Sequence, residues 1–218
     1  MRAHMSSSPS RAQQGVALII VLIFVVILSG AAAFAARRAL FGESVARNML
    51  DNEVARQAAE AALRDAERDV LMAGGGVVAG ASCDRASDRP IKQAYGDPNF
   101  GTDCPRGQCR FANIAYYTGS NFSTNTNPQP WWPGAGSKWN NTFSGKPPLS
   151  TNCNFNGGVA LGTFTGTPPL SGVARQPEYL IEYMQRGTDI YFRITARGWG
   201  LDPNSEVVMQ TFFQRGAV

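Results

Sequence analysis

The chain has 218 residues, room for one compact domain and one long helix. Its 20 basic and 16 acidic residues leave a formal charge of +4, and part of the excess is Arg2 and Arg11 near the start. No basic tract occurs, so nucleic-acid binding through a charged surface finds no support. The one histidine is His4, so the rest of the chain lacks the commonest general base and metal ligand.

Residues 1–15 are polar, contain no acidic residue and end in Gly15. Val16 to Ala36 follows without a charge, and at 1.5 Å per residue it spans about 30 Å, the thickness of a bilayer core. Val16, Ile20, Phe24, Ile27 and Phe34 are among its apolar surface. Arg11 lies before the span and Arg37 and Arg38 after it, so basic residues do not decide its orientation.

The helical pattern continues past the span. Residues 37–72 are mainly helix formers, and no proline occurs between Pro9 and Pro90. Phe41, Val45, Met49, Ala55, Ala59, Ala62, Ala66 and Val70 recur at steps that are mostly three and four, which predicts one apolar stripe. Glu43/Arg47, Arg47/Asp51, Arg56/Glu60 and Glu60/Arg64 have helical ion-pair spacing. The glycines at 74–76 end the helix.

Residues 74–170 are rich in Gly, Pro, Asn and Ser, which predicts short strands and long loops. They hold all four cysteines: Cys83, Cys104, Cys109 and Cys153. In an exported domain an even number of cysteines reads as two disulfides, with three connectivities possible. Zinc is disfavoured, because no CxxC pair and no nearby histidine occur. Asp84, Asp88, Asp97 and Asp103 lack calcium-loop spacing and read as solvated loop residues. Trp131, Trp132 and Trp139 lie in the 120–145 loop region; they either fill a small core or form a binding surface.

Three strands close the chain: 178–185, 189–199 and 207–213. Tyr179, Ile181 and Tyr183 share one face, as do Ile190, Phe192, Ile194 and Ala196. This antiparallel meander needs a cover, and the alanine-rich helix supplies one. Glu178 and Glu182 read as surface carboxylates. No GxSxG, GxxxxGK[ST] or HExxH motif occurs, so the chain is expected not to be an enzyme, with no metal or cofactor.

A polar leader ending in glycine, an apolar helix, its charged continuation and a final meander occur in the order of type IV pilins and pseudopilins. QQGVALIIVLIFVVIL (13–28), RNMLDNEVARQAAEAALRDAE (47–67) and the terminal YFRITARGWG and VVMQTFFQR resemble the PilX family of minor pilins. The resemblance implies an α+β fold, with a long N-terminal transmembrane and amphipathic helix packed on an antiparallel β-sheet. It divides the chain into a leader (1–15), a membrane span (16–36), an amphipathic helix (37–72) and an extracytoplasmic disulfide-containing domain (73–218).

The resemblance further implies that a prepilin peptidase cuts between Gly15 and Val16 and that Val16 is N-methylated. The span would hold the chain in the bacterial inner membrane, with the domain periplasmic, until it enters a pilus at the cell surface. Its partners would be the inner-membrane assembly platform, other minor pilins and the major pilin. Most pilins carry glutamate at the fifth mature position; here that position is Ile20, which points to a tip or priming complex. A tip pseudopilin of type II secretion and a pilus-borne adhesin using the 120–145 loop are the alternatives. A secretory signal cut near Ala33-Phe34-Ala35 and a plain one-pass anchor are competing readings of the N-terminus.

Overall fold

The computed structural model describes residues 13–72, 78–85, 88–89, 91, 99–110, 131, 138–140, 153–186 and 189–214. Among them lie one helix, α1 (Gln13–Leu71), and five strands: β1 (Gln108–Arg110), β2 (Val159–Ala160), β3 (Glu178–Arg186), β4 (Asp189–Trp199) and β5 (Glu206–Phe213). The chain divides into two units, one ending at Asn48 and one beginning at Met49. Within the first, α1 is an uninterrupted helix whose apolar residues are exposed.

In the second unit β3, β4 and β5 form the expected antiparallel meander, and the helix and strands give an α+β fold. Two short strands complete the sheet on the other side of β3. β2 pairs antiparallel with its start, and β1 pairs parallel further along, so the sheet is mixed.

One face of the sheet packs on α1. Tyr179, Ile181, Tyr183, Phe192, Ile194 and Ala196 are buried in one cluster with Ala62, Leu63, Ala66 and Val70. Phe100 adds an edge contact to Tyr183 at 5.9 Å and a stack on Phe192 at 6.1 Å. Full burial of each large apolar side chain contributes about 1.5–3 kcal/mol. Alanines on α1 keep this seam thin. Gly198 on β4 thins it further, since a Cβ there would meet the α1 backbone at Ala55, Ala58 and Ala59.

The buried stripe is shorter than the spacing suggests. It runs through Ala55, Ala59, Ala62, Ala66 and Val70, whereas Phe41, Val45 and Met49 are exposed. Periodicity identifies a face but not how far along the helix that face is covered.

The second face of the sheet is also covered over β3 and β4. Leu180 is buried there with Cys104 and Cys109, and Trp131 and Trp139 pack against them. β5 is left open on this side, with Val208 and Phe212 exposed.

Candidate functional site

Every large apolar residue from Val16 to Leu28 is exposed, from 49% at Ile20 to 71% at Leu18. Phe24, Ile27 and Phe34 belong to the same uncovered surface. A window of this helix reaches a mean hydropathy of 3.1, so it is long and apolar enough to cross a membrane. The one hydroxyl between Val16 and Ala36, Ser29, donates to the Val25 carbonyl at 2.6 Å, which satisfies it within the helix.

α1 begins at Gln13, so Gly15 and Val16 lie in its opening turns rather than in an extended segment. Ala33-Phe34-Ala35 lies inside the same unbroken helix. Beyond the span Arg47 pairs with Glu43 at 2.5 Å, and Arg56 with Glu60 at 2.6 Å.

Further along, α1 turns carboxylates into the domain. Asp51 accepts hydrogen bonds from the Leu201 and Asp202 amides at 2.5 and 3.1 Å. It is therefore committed to a loop, not to Arg47 as its spacing suggested. A hydrogen bond from the Ser205 side chain, helped by those two amides, holds its carboxyl below the usual range despite burial. Asp65 accepts from the Gly162 amide at 2.8 Å and from the Thr165 and Thr167 hydroxyls.

Asp69, fully buried, accepts from Arg85 at 3.0 Å, Arg89 at 3.0 Å and the Tyr179 hydroxyl at 2.9 Å. Burial raises the Tyr179 hydroxyl pKa well above its ordinary value, and the nearby Asp69 and Asp65 charges raise it further. These aspartates escaped the sequence reading. Their signal was their place on the alanine stripe, where a carboxylate at helical spacing with buried alanines must find partners in the domain.

One of the aspartates read as solvated loop residues differs from expectation. Asp88 is buried and accepts from Arg106 at 2.6 Å and Gln108 at 3.3 Å. Asp103, by contrast, is exposed and pairs with Lys138 at 3.2 Å. Asp97 lies outside the described residues. No cluster with metal-ligand composition occurs among the described residues.

Glu178 and Glu182 are also buried rather than surface groups. The β3–β4 register sets Glu182 opposite Arg193 and Glu178 opposite Arg197. Arg193 grips Glu182 through two bonds of 2.8 and 2.7 Å, and Arg197 donates to Glu178 at 2.8 Å. Burial pushes Glu182 up, and Arg193 opposes that shift.

Trp131 and Trp139 lie beside these arginines. Arg197 sits 4.8 Å from the Trp139 ring and Arg193 5.9 Å from that of Trp131. The Trp139 indole donates to the Trp131 carbonyl at 2.9 Å. Both rings are half-buried and help roof the charge ladder; Trp132 lies outside the described residues. Cys83 is bonded to Cys153 and Cys104 to Cys109, one of the three connectivities the sequence allowed.

The helix, the sheet it covers and the final strands coincide with two family models. Residues 14–64 match PilX N-terminal, and residues 107–215 match the type IV pilus assembly protein PilX C-term. The chain belongs to the PilX family. No curated protein and no solved structure matches it. As a PilX-family chain it is a type IV pilus minor pilin, a structural component that associates with other pilins, and its apolar helix fits a membrane anchor.

Proposed function

We propose that this minor pilin is held in the bacterial inner membrane by residues 16–36, with its domain periplasmic, and is built into a type IV pilus at or near the tip. A prepilin peptidase cuts between Gly15 and Val16. The freed helix then exchanges lipid for the helices of other minor pilins and the major pilin on the assembly platform.

The observation that carries this reading is Ile20, the fifth residue after the cut, within a span that has no charge from Val16 to Ala36. A glutamate there is implied by the pilin resemblance to neutralise the terminal amine of the subunit assembled before it. A subunit with no predecessor has no such amine to meet, and an unpaired carboxylate in lipid costs several kcal/mol, about 2.5–3.5 on insertion scales. The family match supports a pilus over a type II secretion system.

Two measurements test the proposal. The mass of the mature N-terminal peptide should correspond to a chain starting at Val16 and carrying a methyl group; a start near Ala36 or a retained leader would refute it. Ile20→Glu should alter incorporation or position in sheared pili, and unchanged incorporation with unchanged tip location would remove the case for the tip.

A further inference from the structure

Up to Gly42 every charged residue of the helix is basic. From Val16 to Gly42 there is no acidic residue, while Arg37 and Arg38 stand directly after the apolar span. Helical ion pairs form between residues three or four apart. The positions at that distance from the two arginines are Ala33, Phe34, Ala35, Leu40, Phe41 and Gly42, and none can accept. The first acidic residue along the helix, Glu43, is held by Arg47 at 2.5 Å. Arg38 lies 4.5 Å over the Phe34 ring, which partly cushions one guanidinium without neutralising it. Both arginines are exposed.

We propose that Arg37 and Arg38 form a docking point for a carboxylate-bearing helix of a sister pilin. This rests on the reading that residues 16–36 leave lipid and pack against other helices. In the membrane, arginines at the end of a span reach the headgroup phosphates. Assembly removes those phosphates and brings apolar helix surface together, so the two guanidinium groups enter a less hydrated setting. Their own helix offers no carboxylate three or four residues away, so the countercharge must come from a neighbour. Arginine suits the role, because its planar fork binds a carboxylate through two parallel hydrogen bonds. The pair also sets a depth, since only a partner with carboxylates level with residues 37–38 docks without leaving charge uncompensated.

The test uses the full-length chain in its native host, with three double variants: Arg37→Lys with Arg38→Lys, Arg37→Gln with Arg38→Gln, and Arg37→Glu with Arg38→Glu. Three quantities are read: the mass of the N-terminal peptide, the amount in the membrane fraction, and the amount in sheared pili. The lysine variant keeps the charge but not the fork, so it should enter pili at a level between the wild type and the glutamine variant. The glutamine and glutamate variants should be processed and inserted normally yet fall about tenfold or more in pili, as expected for loss of one partner of a desolvated charge pair.

A zero-length carbodiimide crosslinker applied to pili of the lysine variant should join residue 37 or 38 to an Asp or Glu in the helix of another pilin. Wild-type abundance of the glutamine variant in pili overturns the proposal. So does a glutamine variant that loses membrane insertion, which assigns the arginines to phospholipid phosphate instead. If the wild-type chain is correctly processed but absent from pili, the underlying assembly reading fails and takes this inference with it.

Discussion

Gly198→Ala tests the closeness of the helix–sheet seam. An ideal Cβ at this position would lie 2.5 Å from the Ala55 carbonyl oxygen and 2.8 Å from the Ala58 carbonyl carbon, and nearer still to the Ala59 amide nitrogen. Ordinary contact begins at 3.4 Å. All three atoms are backbone, so no rotamer change relieves the clash, and α1 must retreat on the order of 1 Å along a seam lined by buried alanines. Overpacking of this kind costs about 1–3 kcal/mol. At about 2–4 °C per kcal/mol for a domain of this size, the melting temperature should fall by roughly 2–12 °C.

The assay is thermal unfolding of the detergent-solubilised full chain, followed by near-UV circular dichroism. Trimming a helix side chain, as in Ala58→Gly, should not rescue the variant, because the obstacle is the main chain. A Gly198→Ala protein that melts with the wild type would show that the seam has slack and that the reasoning is wrong.

Removing the Cys83–Cys153 bond, whose sequence separation is 70, should cost about 4 kcal/mol by the chain-entropy relation, against about 2 for Cys104–Cys109 with a separation of 5. Denaturant titration of Cys83→Ser and Cys104→Ser, each paired with the serine variant of its partner, should preserve that order. Asp69→Asn leaves Arg85 and Arg89 without their shared carboxylate and should destabilise by about 3–5 kcal/mol in the same titration. Asp51 has a folded pKa below its unfolded value, so its contribution is complete above the unfolded pKa and is lost as pH falls from there through the depressed folded value. Asp51→Asn should therefore lower stability at neutral pH and flatten the acid limb of a pH–stability profile.

How much was legible depended on whether a residue's role is local or distant. The meander was readable because Tyr179, Ile181, Phe192 and Ile194 alternate at the period of a strand, and observed strand bounds differ from the expected ones by at most a residue. The helix was readable for the same reason. Asp65 and Asp69 were not, since the groups that donate to them lie between 16 and 110 residues away and no local pattern announces them; Asp88 lies 3.8 Å from Arg85, three residues before it, yet its hydrogen bonds come from Arg106 and Gln108. Glu178 and Glu182 looked like solvent-facing strand residues until the β3–β4 register set an arginine across from each. β1 escaped notice altogether: three residues, Gln-Cys-Arg, carry no periodicity, and a parallel pairing is set by the strand it joins.

That register is also specified by charge. If β3 slid by one residue against β4, both glutamates would turn away from Arg193 and Arg197 toward the alanine seam. A slide by two, in either direction, would set Glu182 opposite Thr195 or Tyr191 and strand both arginines beneath the tryptophan roof. Hydrophobic alternation alone tolerates the two-residue error, because it restores the same faces. The acid–base ladder does not, so it singles out one register among those the apolar pattern permits.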